Sequence, residues 1–220
     1  MATSFMPFAP SDLTVNLNAF FRNPKSTLQP PGSQPPSTLY LLRRDVAQCL
    51  GFNPNTSEED KKKYPPALWP ALMGIFAGID LLAKFYCDND KQGKVGERFK
   101  KYIQEYFKGI APGQEDHLWL VRNALMHSFG LYAEDRSSRA YRFILTAGNL
   151  STLIKVDESR TPCFVHFDIL KAWKTFENSI PLLKKTLEKE ISKRKKLQVL
   201  LEKYGFVPIG QVMKIKRTRK

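Results

Sequence analysis

Between Ala67 and Tyr86, seven large apolar residues fall at helical spacing: Leu68, Leu72, Ile75, Phe76, Ile79, Leu82 and Phe85. A stripe of that period has to bury itself against neighbouring elements. The spacing therefore predicts a core helix and commits the chain to a helical architecture. Asp88-Asn89-Asp90 and Gly93 end the helix. Glu97 to Phe107 repeats the pattern through Phe99, Ile103, Tyr106 and Phe107, and Pro112-Gly113 makes the next turn. Gln114 to His127 predicts a further helix, with Glu115 and Asp116 in its first turn, where the helix dipole favours acids.

The period then changes. Arg139–Thr146, Thr152–Val156 and Cys163–Phe167 are short β-like runs separated by Gly148-Asn149 and by Asp157–Pro162. They predict a small antiparallel insertion at about 139–167. Asp168 to Tyr204 reads as one long helix, capped by Asp168, stopped by Gly205, and open to a kink or split at Pro181. The fold class expected is mainly α: an antiparallel helical bundle with a small antiparallel β insertion before the last long helix. Upstream, residues 1–37 read as an N-terminal arm. It holds a short helix over Ser11–Phe21 and a Pro-rich linker at Gln29–Pro36. Leu39–Leu50 predicts a helix ended by Gly51, and residues 38–207 the helical domain. Residues 208–220 read as a basic tail.

The formal charge is +14, which favours an anionic partner. Thirteen Lys or Arg against three Glu between Lys184 and Lys220 put +10 of it in that segment. Lys193, Arg194, Lys195, Lys196, Lys214, Lys216, Arg217 and Arg219 are its candidate RNA contacts. A solvated helix face with a loose basic tail explains the same charges equally well. No uninterrupted apolar run approaches the ~18 residues of a membrane span, and Met1–Phe8 lacks the regions of a secretory signal. Cys49, Cys87 and Cys163 are odd in number and far apart, which suits reduced thiols. A cytoplasmic protein without a membrane partner is expected. No Cys-x-x-Cys or His-x-x-x-His pair occurs, so no metal site and no cofactor are expected.

The chemistry concentrates in Arg122-Asn123-Ala124-Leu125-Met126-His127. Arg grips phosphate bidentately and stays charged. His exchanges protons near neutral pH with a ribose 2′-OH or a leaving oxygen. Asn can orient either. Asn123 and His127 share a helix face, whereas Arg122 lies roughly 140° from His127 at about 100° per residue. Arg122 therefore needs its long reach, a distorted helix end or a second subunit to work beside that histidine.

This stretch resembles the HEPN superfamily, whose mark is Arg, a polar residue, and His, with four to six residues between Arg and His. The helix Phe76-Ala77-Gly78-Ile79-Asp80-Leu81-Leu82-Ala83-Lys84-Phe85 is also similar to bacterial and plasmid members of that superfamily. The resemblance covers about Ala67 to Tyr132 and, more loosely, the final helix. It implies a helical bundle that forms a homodimer with the motif helices lining one cleft. It also implies a metal-independent endoribonuclease acting in toxin–antitoxin or phage-defence systems. Arg122 and His127 would then be the catalytic pair, supported by Asn123 and Asp80. RNA and an antitoxin protein would be the partners. A non-catalytic HEPN-like module that binds RNA or protein is the alternative. Toxins of this kind that are silenced by nucleotidyltransferases carry a tyrosine two residues after the histidine. Here that residue is Phe129 and the nearest tyrosine is Tyr132, so such control is not expected.

Other polar and aromatic groups have plainer readings. His117 is expected at the surface, Asp168 as a cap, and Cys163 as a small apolar strand residue. Trp69, Trp119 and Trp173 are expected as core anchors. Tyr141, Arg142 and Phe143 could meet RNA, though strand packing accounts for them better.

Overall fold

The computed structural model describes residues 13–22, 36–53 and 66–207. The helices, in chain order, are α1 (Leu13–Phe20), α2 (Thr38–Cys49), α3 (Leu68–Tyr86), α4 (Val95–Tyr106) and α5 (Gln114–Ser128). The strands β1 (Tyr132–Glu134), β2 (Ala140–Thr146), β3 (Ile154–Asp157) and β4 (Cys163–Asp168) follow. The chain ends with α6 (Ile169–Lys189) and α7 (Leu197–Leu200). The fold is mainly helical with a small four-stranded mixed sheet.

The apolar stripe of α3 is the centre. Leu72, Ile75, Phe76, Ile79, Leu82 and Phe85 are all at or below 1% exposure. α2, α4 and α6 pack around it. Gly78 allows α6 to come close, since a Cβ there would sit 2.5 Å from Phe176 Cζ. By length and composition alone α3 could cross a membrane. Asp80 and Lys84 are the charges that break it into shorter apolar runs, and most of the helix is buried against protein.

Three expectations are corrected. First, the helix expected within the arm of residues 1–37 packs into the core as α1. Leu17 and Phe20 of α1 are buried, and Phe20 stacks on Phe85 at 4.8 Å between ring centroids. The Ser37 hydroxyl donates to the Phe20 carbonyl at 2.9 Å. Ser11 and Asp12 of the expected short helix and most of the Pro-rich linker lie outside the described residues.

Second, the sheet is mixed, in the order β1-β2-β4-β3, and it begins at Tyr132. β2 pairs with β4 in parallel, from Tyr141↔Cys163 to Thr146↔Asp168, while β1–β2 and β3–β4 are antiparallel. Alternating patterns report which face is buried, not the direction of the partner. The connection between β2 and β3 is held over the end of β4 by Asp168, so β4 fills the space between those strands. The Leu150 N–H donates to Asp168 Oδ2 at 3.2 Å, and the Asp168 N–H donates to the Leu153 carbonyl at 2.9 Å. Asp168 also caps α6, accepting from the Lys171 N–H at 3.0 Å. Since Asp168 is fully buried, Asp168→Ala is expected to cost about 1–2 kcal/mol. Urea denaturation would show this as a lower midpoint, and an unchanged midpoint would remove Asp168 as the joint of sheet and helix.

Third, the last helix is not continuous to Tyr204. α6 runs through the exposed Pro181 and ends at Lys189. Short 3-10, α and π turns follow over residues 191–205. The break has a cause in Arg194. Its guanidinium donates to the Phe85 and Tyr86 carbonyls at 3.0 and 2.6 Å, and to Glu190 at 2.5 Å. That satisfies the open C-terminal carbonyls of α3 and pulls the chain off the α6 axis.

Candidate functional site

α3 and α5 bring together Asp80, Arg122, Asn123 and His127. Asp80 lies where α3 faces α5, with its side chain 16% exposed. Arg122 reaches across, 12% exposed, and donates to Asp80 Oδ2 from Nη2 at 2.6 Å and from Nε at 3.0 Å. Arg122 Nη1 donates to Asn123 Oδ1 at 3.1 Å and lies 3.3 Å from His127 Nε2. Arginine has no acceptor, so Nε2 must accept. A hydrogen bond at this contact requires the tautomer whose proton is on Nδ1. The angular gap between Arg122 and His127 is thus closed by the reach of Arg122 within one chain.

The arginine is seated on Trp119, one turn earlier on α5, with its guanidinium carbon 5.0 Å from the ring centroid. Gly96 on α4 makes room for that indole: a Cβ there would be 3.0 Å from Trp119 Cζ2. Trp119 is half-buried, so it supports the Arg122 side chain as well as the core.

α5 ends directly beyond His127. Phe129 adopts φ +49°, a conformation costing a non-glycine residue about 1 kcal/mol or more. The Phe129 N–H, the Gly130 N–H and the Ser128 hydroxyl all donate to the Ala124 carbonyl. This stop leaves His127 exposed at the rim of an open cleft of about 500 Å³. Val95, Trp119, Arg122, Asn123, His127 and Tyr132 are among its walls.

Burial pushes the Asp80 carboxyl above its ordinary range, outweighing the opposing pull of Arg122. Asp80 Oδ1 is buried and has no hydrogen-bond partner among the described residues. Burial likewise lowers the Lys84 ammonium, one turn further along α3, against the pull of Asp80. The site therefore stores charge in a poorly solvated place.

The expected basic contacts divide. Lys193, Lys195 and Lys196 are exposed, but Arg194 is half-buried and occupied in capping α3. Arg194 is thus corrected from a candidate RNA contact to a structural residue. It binds the end of α3, roughly 9 Å along the helix axis from Asp80 at 1.5 Å per residue. Lys214, Lys216, Arg217 and Arg219 lie outside the described residues.

His117 is corrected too. It is half-buried, packs edge-on against Tyr141 at 5.4 Å, and its Nδ1 is buried without a partner among the described residues. Burial lowers its pKa from 6.5. The neutral ring is the form the fold prefers, so its stability contribution is complete above 6.5 and is lost as pH falls through the lowered value. Denaturation midpoints are expected to drop on acidification below 6.5 in the wild type, and to drop less in His117→Gln. Equal slopes for the two proteins would contradict this.

The sequence pattern passed over Trp119, Gly96 and Tyr132. The signal for Trp119 was its three-residue spacing before Arg122. Tyr132 gave none, because its place on the cleft depends on the turn at Phe129. A scan of protein-family models, a search of curated proteins and a search of solved structures found no match to this chain.

Proposed function

We propose that this chain is a metal-independent endoribonuclease of HEPN type, with α3, α4, α5 and α6 as the bundle of that superfamily. The observation that carries the reading is the approach of Arg122 Nη1 to His127 Nε2, 3.3 Å, on the wall of an open cleft. A phosphodiester entering the cleft competes for Nη1 and releases the Nε2 lone pair. That nitrogen takes the proton of the ribose 2′-OH as the 2′-oxygen attacks phosphorus. Arg122 holds the charge that develops on the phosphoryl oxygens. The bond to the 5′-oxygen breaks, that oxygen takes a proton from a second acid, and a 2′,3′-cyclic phosphate remains. In the homodimer that the resemblance implies, the acid is the second copy's histidine. Because the nucleophile is internal to RNA, DNA is not a substrate. Asn123 and Asp80 act as positioning residues through Arg122. The exposed lysines 193, 195 and 196 add general affinity for phosphates. A cytoplasmic setting, a role in toxin–antitoxin or phage-defence systems and an antitoxin partner belong to the same proposal.

One observation favours a second reading, a non-catalytic module that binds RNA or protein. Three of the Arg122 nitrogens are already engaged within the chain. Incubating structured and unstructured RNA with the protein in EDTA separates the two. Cuts ending in 2′,3′-cyclic phosphate support the nuclease, and intact RNA that nevertheless binds supports the module.

A further inference from the structure

We infer that the outer face of the four-stranded sheet is a path for single-stranded RNA that leads into the Arg122–His127 cleft. The inference deepens the nuclease reading and rests on it for the identity of the cleft. The inner face of the sheet is core: Tyr141, Phe143, Cys163, Val165 and Phe167 are buried. The alternate residues point outward. In register across β1, β2 and β4 lie Tyr132, Arg142 and Phe164. Tyr132 is 48% exposed and also lines the cleft, so the row begins where the site does.

The chemistry of the row suits unstacked bases. Two guanidiniums lie over the Phe164 ring, Arg142 at 5.9 Å and Arg160 at 4.9 Å from its centroid. Held there, an arginine offers both a plane on which a base stacks and a charge for the neighbouring phosphate. Adjacent strands are about 4.8 Å apart, so Tyr132 and Phe164, two strands apart, are separated by a stride that successive bases of an extended strand can follow. On β3 the row ends at Asp157, opposite Phe164, and the exposed Lys155 lies on the same face one pair along, opposite His166. Glu134 accepts from the Tyr132 hydroxyl, and Asp157 pairs with Arg160, which places their charges beside donors. Arg142 is exposed and available to a phosphate. A duplex, whose bases are already stacked inside it, gains nothing from such planes. A single strand does.

The test uses the full chain carrying His127→Ala, so that RNA stays intact, and a short fluorescein-labelled oligouridine read by anisotropy. Tyr132→Ala and Arg142→Glu are each expected to weaken binding roughly tenfold. Tyr132→Phe, which keeps the ring, is expected to restore what Tyr132→Ala loses. Arg142→Lys, which keeps the charge without the plane, should fall between. The same oligouridine annealed to oligoadenosine should bind more weakly and ignore Tyr132→Ala. Undiminished binding by Tyr132→Ala and Arg142→Glu, with unchanged circular dichroism, overturns the path. So does a change of sedimentation behaviour in these variants, which would give the face to a second copy, or binding of an acidic peptide in place of oligouridine. Cleavage is not the readout, so an inactive site with an intact path, and the reverse, are told apart.

Discussion

His127→Ala is expected to lower the rate of RNA cleavage about 10²–10⁴-fold, the usual worth of a positioned general acid or base. Its RNA affinity should stay near that of the wild type. The histidine is exposed at the end of α5, and its ring contact is with Arg122 Nη1 at 3.3 Å. Truncation therefore removes a proton acceptor and little packing. Melting temperature should move by no more than a degree or two, since exposed substitutions rarely cost above ~0.5 kcal/mol. Single-turnover cleavage in EDTA, with ends analysed for cyclic phosphate, is the measurement. If the variant cuts at the wild-type rate, His127 has no part in proton transfer and the chemistry proposed for the cleft falls with it.

Arg122→Leu is expected to destabilise the fold by about 3 kcal/mol at neutral pH, the lower end of the range for breaking a buried ion pair. For a chain of this size that is a drop in Tm of roughly 6–12 °C. The cause is the carboxylate left behind. Asp80 is 16% exposed, its Oδ1 has no hydrogen-bond partner among the described residues, and burial already holds its pKa up. Without Arg122 the charged form has still less to stabilise it. A carboxyl with a raised folded pKa favours the fold when protonated and opposes it when ionised. The deficit of Arg122→Leu should thus be largest above the raised pKa and shrink as pH falls through it. Adding Asp80→Asn removes the stranded charge, so the double variant should regain much of the loss at neutral pH. Urea denaturation of the wild type, both singles and the double over a pH series would check this. A deficit that does not vary with pH would show that packing, not charge, sets the cost.

The helices were legible because their pattern is strong. The stripe from Leu68 to Phe85 and the acidic start of α5 at Glu115 and Asp116 each mark an element found within a residue or two of its expected bounds. Asp80 was singled out only through the resemblance of its helix to HEPN proteins. What failed was whatever depends on a distant partner. The parallel pairing of β2 with β4 is decided by how Asp168 holds the preceding loop, not by alternation within the strands. The end of α6 is decided by Arg194 reaching the carbonyls of α3, more than a hundred residues away in sequence. The burial of α1 depends on Phe85, and nothing in the local sequence of α1 points to so distant a partner. Within the site, residue types and spacing singled out Arg122 and His127. The indole beneath the arginine had a sequence signal in its spacing before Arg122, but the room for it depends on Gly96 of α4, which lies outside any local pattern.

The two ends of the described chain meet. Ser37 forms an isolated antiparallel bridge with Phe206, the Val207 N–H donates to the Pro36 carbonyl at 3.1 Å, and Phe206 packs against Phe20 with centroids 6.5 Å apart. This clasp joins Ser37 and Phe206, 169 positions apart in sequence (206 − 37), a closure with a high entropic cost. On a ribosome it cannot form until the residues after α7 have left the exit tunnel. The α3–α5 scaffold holding Asp80, Arg122 and His127 is complete in sequence well before that. A nascent chain can therefore bring Asp80, Arg122 and His127 together before residues 36–37 and 206–207 are joined, and the clasp acts as a late seal on a cleft already built.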